Sequence, residues 1–123
     1  DQDNAKRCEL AMQYTKLLGD VVRTPFIREG AEHVFHLYVV KTPRRDRLMD
    51  DLKAKDIYPA IHYPMPIHMQ PAYQGRVRTA RSMAVTEALA AEVLSLPMYP
   101  ELTLDAGREV ASAVLGSQLR DRT

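Results

Sequence analysis

The 123-residue chain has no tryptophan, a single cysteine and only two phenylalanines. One cysteine, Cys8, excludes an internal disulfide and fits a reducing cytoplasm. Excess charge is missing as well. Seventeen basic residues face 16 acidic ones for a net charge of +1, which argues against a general nucleic-acid or membrane-surface binder. No apolar run approaches the roughly 20 residues that span a bilayer, and no signal-peptide pattern is visible. The five glycines are scattered, so no Gly-rich phosphate motif can be drawn through them. A chain of this length supports one compact domain, burying about two-thirds of the surface that its unfolded form exposes. Beginning at Asp1 and not at Met, it reads as a piece of something longer.

The most telling absence is local. From Ile57 to Thr86 there is no Asp or Glu, although acids and bases nearly balance overall. That stretch holds His62, His68, Tyr58, Tyr63, Tyr73, Gln70, Arg76, Arg78 and Arg81, punctuated by Pro59, Pro64, Pro66 and Pro71. It offers hydrogen-bond donors and flat faces for stacking, with no carboxylate to repel an anion. Each residue before a proline is pushed toward extended geometry, so the segment is preset as a stiff, irregular ribbon. One reading is a binding loop for a phosphorylated or otherwise anionic ligand. The plainer one is a rigid connection whose tyrosines and methionines fill gaps at the edge of a core.

Around this loop the patterning predicts alternating helices and short strands. Asp3 or Asn4 can cap a helix reaching Leu18, with Ala5, Cys8, Met12, Thr15 and Leu18 as its apolar stripe and Gly19 as its stop. A thin stripe of this kind suits a helix that packs on a missing neighbour. The segment from Asp20 to Glu32 reads as an edge and loop. His33 to Lys41 is the clearest strand, rich in aromatic and β-branched residues. Thr42-Pro43 starts a helix to about Lys55 that buries Leu48, Met49 and Leu52. A short strand over Ile57–Ile61 would complete a strand–helix–strand crossover. After the loop, Thr79 or Ser82 opens a helix with Leu89, Ala90 and Val93 inward. Leu94–Pro97 reads as an edge strand or extended connection. Thr103 caps a last helix with Asp105 in its first turn and Val110, Val114 and Leu115 as contacts; Gln118 to Thr123 is expected to fray.

Self-contained chemistry is not evident. His33 and His36 would point to opposite faces of a strand, and no cysteine or carboxylate accompanies His62 and His68, so no metal site is expected. Cys8, on a helix stripe, lacks an activating base. The residues describe half of an active site at most, and no catalytic residue is assigned.

The residues do carry a resemblance. Val34-Phe35-His36-Leu37-Tyr38-Val39-Val40 resembles the HxYxV strand of the DegT/StrS family of sugar aminotransferases. Arg45-Asp46-Arg47-Leu48 and Leu52-Lys53-Ala54-Lys55-Asp56-Ile57 are similar to its RDxLxxxLKxxGI segment. Ile61 to Tyr73 matches its HYPxPxHxQPxY signature almost position for position, and Glu87 to Thr103 resembles its AExLAxExLSLPMYPELT ending. The match runs in order along nearly the whole chain.

That resemblance implies an α+β fold: the small C-terminal domain of a fold type I transferase dependent on pyridoxal phosphate, a short β-sheet packed against about four helices. Residues 1–123 would form this one domain, its N-terminal helix leading from a large domain not in the chain. The family's large domain carries the Schiff-base lysine and the acid that pairs with the pyridine nitrogen. None of Lys6, Lys16, Lys41, Lys53 or Lys55 stands in a similar context, so this chain alone is expected to be inactive. The implied activity is amino transfer from glutamate or glutamine to a nucleotide-linked keto-sugar, in a cytoplasmic homodimer without nucleic-acid or membrane partners. Alternatives are a sugar dehydratase or aromatic-amine synthase of the same family, or a non-catalytic sugar-nucleotide-binding or regulatory domain. By analogy His62, Tyr63, His68 and Gln70 would line the substrate site, with Tyr73 beside them. Arg76 and Arg78 are candidate phosphate contacts, against the plainer reading of a solvated basic loop. The chain departs from the family at Pro59-Ala60, where glycine often precedes Ile-His, and over Arg76 to Ala84, where a glycine- and aromatic-containing connection is common.

Overall fold

The computed structural model describes residues 1–120. Its first helix, α1 (Gln2–Leu18), starts one residue ahead of the expected caps, so Asp3 lies in the first turn, where a negative charge suits the helix dipole. The buried stripe is Leu10, Ala11, Tyr14 and Leu18, whereas Met12 is 69% exposed. The expected stripe is therefore rotated, and Tyr14 is the reason. Its ring packs 5.0 Å from that of Tyr38 and its hydroxyl donates to the Pro97 carbonyl at 3.0 Å, so an amphipathic residue serves as a core anchor. The stripe seats α1 against α4 (Leu104–Leu119), the helix whose N-terminus Thr103 caps by accepting from the Ala106 amide at 3.1 Å. Gly107 makes the crossing close: a Cβ there would stand 2.5 Å from Leu10 Cδ1.

The expected strand over His33–Lys41 is realised only as β1 (Tyr38–Lys41). Phe35 sits at φ 47°, a left-handed conformation that breaks extended geometry, with its amide donating to His33 Nδ1 at 2.8 Å. The partner of β1 is not the Ile57–Ile61 segment. It is β2 (Val93–Leu96), paired antiparallel with Tyr38 opposite Leu96 and Lys41 opposite Val93. Ile57–Ile61 contributes only Ala60, which bridges to Ser95 on the far edge of β2, because Pro59 has no N–H for a ladder. Arg23 bridges Lys41 on the other edge. The strand–helix–strand crossover is thus replaced by a two-stranded antiparallel ribbon with single-residue bridges outside it.

Between these lies α2 (Arg45–Lys53), burying Leu48 and Leu52 with Met49 half-buried against the core. The helix starts two residues later than expected: Arg44, not Thr42, is its N-cap, without a side-chain cap bond, and Thr42 Oγ1 accepts from the Arg44 amide at 3.3 Å ahead of it. The core gathers these leucines with Val40, Leu94, Leu96, Val110, Ala111 and Val114. Polar links tie α4 across it: Ser117 donates to Asp51 at 2.6 Å, and Thr42 donates to Gln118 at 3.0 Å. Gln118 is buried in α4, so the expected fraying does not begin there; the last three residues of that expectation lie outside those described. No described helix is long and apolar enough to cross a membrane.

Candidate functional site

The acid-free stretch leaves the sheet at Ala60 and wraps over α3 (Ala84–Glu92), a helix that buries none of its side chains although Ala, Val and Leu fill most of it. Leu89, expected inward, is 41% exposed. What it faces is a cavity of about 590 Å³ between the loop and the helix. The floor and one wall are apolar, built by Met83, Leu89, Ala90 and Val93. The opposite wall is the proline-stiffened loop, with a short 3₁₀ turn over Ile67–Met69. An apolar cleft with a few convergent polar groups is the usual form of a small-molecule site.

Those polar groups are largely the expected ones. His62, Tyr63, His68, Gln70 and Arg78 all line the cavity; Tyr73 and Arg76 do not, lying in the exposed turn beyond Gln70 together with Gly75. The His62–Tyr63 peptide is cis, and the two rings meet edge to face at 5.6 Å. Each imidazole is held by a residue outside the loop. His62 Nδ1 lies 2.9 Å from Ser95 Oγ, on a serine buried between Leu94 and Leu96 in β2. His68 Nε2 lies 3.0 Å from Glu87 Oε1 in the first turn of α3. Gln70 donates weakly to the Met65 carbonyl at 3.5 Å.

Glu87 and Ser95 were not expected here. Glu87 is the first acid after the acid-free stretch, and folding returns it to the site, so a segment without carboxylates in sequence has one in space. Ser95 did leave a trace, as the polar residue in an apolar run from Val93 to Leu96. A third contributor is Arg45. Nearly buried, its guanidinium donates to the Ala90 and Val93 carbonyls at 3.1 and 3.3 Å, and Asp46 accepts from its Nε at 2.5 Å. It thereby satisfies carbonyls at the C-terminal end of α3, the helix that walls the cavity.

The residues lining the cavity do not by themselves fit pyridoxal phosphate. No lysine stands among them, and Lys41, on the sheet, is paired with Glu92 at 2.9 Å. No cluster of three or more His, Cys, Asp or Glu among the described residues could hold a metal ion.

Residues 1–115 match the DegT/DnrJ/EryC1/StrS aminotransferase family. The chain belongs to this family. It is 40% identical to a "pleiotropic regulatory protein" of Geobacillus stearothermophilus, across 83% of this chain and 28% of that protein. It is 37% identical to a dTDP-3-amino-3,4,6-trideoxy-alpha-D-glucose transaminase of Streptomyces venezuelae, across 93% of this chain and 32% of the relative. The chain thus spans about a third of the length of the curated relatives it matches. Among solved structures, S. venezuelae DesV in complex with a ketimine intermediate superimposes with a TM-score of 0.90 at 34% identity, covering all of this chain and 33% of that one. Bacillus subtilis NtdA with bound cofactor PMP gives a TM-score of 0.80 at 27% identity, over 95% of this chain and 28% of that one. The DegT-family enzymes are dependent on pyridoxal phosphate, and the small α+β unit seen here matches part of their fold type I structures.

Proposed function

We propose that residues 1–123 form the C-terminal small domain of an aminotransferase that moves an amino group from glutamate or glutamine to a nucleotide-linked keto-sugar. The observation that carries this reading is the cavity beneath the HYPxPxHxQPxY loop, where His62, His68, Gln70 and Arg78 converge over an apolar floor. Neutral donors and acceptors suit sugar hydroxyls, Tyr63 offers a face for a ring, and Arg78 supplies a cation for a diphosphate. Tyr73 and Arg76, exposed beyond the cavity, would reach substrate only at its rim, or only if that turn closes over it.

On this reading the large domain, reached through α1, supplies the Schiff-base lysine, the acid at the pyridine nitrogen and most of the cofactor's contacts. The cofactor's contribution is the electron sink for amino transfer; this chain's residues bind and orient the sugar. The full-length form is a cytoplasmic homodimer with no nucleic-acid or membrane partner, and the chain alone is inactive. The deciding experiment is the absorption spectrum of the full-length protein before and after adding glutamate. A cofactor band that bleaches with glutamate supports the transaminase. A protein that binds no cofactor when it is offered overturns it.

A second reading has a specific observation behind it: the Geobacillus relative carries a regulatory name, and the 37% identical Saccharopolyspora erythraea relative is called a sensory transduction protein. In that case the same cavity would bind a sugar nucleotide without turnover, and the glutamate experiment separates the two.

A further inference from the structure

The two long motifs of this chain meet at two side-chain hydrogen bonds, His62 with Ser95 of β2 at 2.9 Å and His68 of the loop with Glu87 of α3 at 3.0 Å. We infer that Glu87 is a positioning residue that makes His68 a hydrogen-bond acceptor toward the ligand; this rests on the cavity being the sugar site. An ionised carboxylate has no hydrogen to donate, so the proton in this bond belongs to His68 Nε2. With a single ring proton held on Nε2, Nδ1 is the lone-pair acceptor of a histidine that lines the cavity. An acceptor at that point selects a ligand group that donates, a sugar hydroxyl, over one that only accepts, such as a carbonyl oxygen.

The geometry favours a positioning role over a surface ion pair. The His68 side chain is 15% exposed while that of Glu87 is 51% exposed, so the ring is sheltered in the cavity wall and the acid holds it from the solvent side. Glu87 also sits on the helix that forms the cavity floor, so the bond fixes the loop to the surface it covers. Ser95 does not impose the same choice on His62, because a hydroxyl can donate or accept. Of the two imidazoles, only His68 has its hydrogen-bonding sense dictated by its partner.

The test has one readout independent of activity. Nitrogen-15 spectra of the histidine rings in the full-length protein are expected to show a solvent-protected proton on His68 Nε2. That signal should be lost in Glu87→Ala and weakened in Glu87→Gln, with unchanged circular dichroism. In the full-length enzyme Glu87→Ala is then expected to raise KM for the nucleotide sugar roughly tenfold, with kcat and the amino-donor KM nearly unchanged. A His68 proton on Nδ1, or a Nε2 proton that survives in Glu87→Ala, overturns the positioning role. A lost Nε2 proton with no change in sugar KM instead overturns the sugar-side assignment of the cavity, so the two failures are distinguishable.

Discussion

Single residues line the cavity, and two of them differ in how their proposed roles can be checked. His62 and His68 approach the cavity from one loop but are pinned by different elements, β2 and α3. If both orient the sugar, His62→Ala and His68→Ala in the full-length enzyme should raise the nucleotide-sugar KM about five- to thirtyfold, the effect of losing one or two hydrogen bonds. The amino-donor KM should move far less, and equal effects on both substrates would count against a sugar-side role. Asp56 tests local backbone demand. It occupies φ 58° at the end of α2, where the Ile57 amide reaches back to the Leu52 carbonyl at 3.1 Å. The family segment that the chain resembles has glycine at this position, and the left-handed conformation explains why. Replacing Asp56 with Gly relieves roughly 1 kcal/mol of backbone cost, set against one exposed 3.3 Å hydrogen bond from Tyr58. A small rise in Tm is expected; a fall would show that the Tyr58 bond outweighs the conformation.

At the scale of elements, α3 is the least anchored helix and the one that matters most to the site. None of its side chains is buried, so its placement depends on its ends: Glu87 bonds His68 near the start, and Arg45 caps carbonyls near the finish. Arg45→Met keeps the stem packed but removes every donor. We expect about 1–3 kcal/mol of destabilisation and amide exchange that quickens in α3 well before α1 or α4. Uniform quickening over all these helices would instead make Arg45 a global core residue. Much of this arrangement was legible beforehand. Thr103 announced the start of α4, Leu48 and Leu52 the inner face of α2, and the proline spacing a stiff loop with His62, His68 and Gln70 on it. What could not be read were the consequences of tertiary pairing. Nothing local says that Phe35 adopts positive φ and shortens β1, or that β2 takes the place expected for Ile57–Ile61. Periodicity also treats Tyr14 as polar enough to face water, whereas its hydroxyl finds a carbonyl 83 positions away. The partnerships of Glu87 and Ser95 were hidden for the same reason, because a partner 19 or 33 positions distant leaves no mark in spacing, even though Ser95 stands out as the polar residue of an apolar run.

At the scale of the whole molecule, two phenols make the fold sensitive to alkali. Burial pushes the Tyr14 hydroxyl well above its usual value near 10, with Tyr38 and then Tyr99 adding to the rise. Burial also raises Tyr38, partly offset by hydrogen bonds with Thr15 and Thr24. In both cases the folded state holds the proton more tightly than the unfolded chain does. The stabilisation is therefore fully present below about pH 10, where both states are protonated. Above that the unfolded chain ionises first, and stability falls by up to about 1.4 kcal/mol per pH unit for each phenol. Urea unfolding of this chain from pH 8 to pH 11 should show a flat region followed by a decline that steepens past pH 10. Tyr14→Phe loses the hydrogen bond to Pro97 and should be about 1–2 kcal/mol less stable at pH 8, yet its alkaline decline should be shallower. Parallel curves for the two proteins would mean that Tyr14 ionises as readily when folded as when unfolded. The tyrosine that orients α1 on the sheet would then not be as dry as its packing requires.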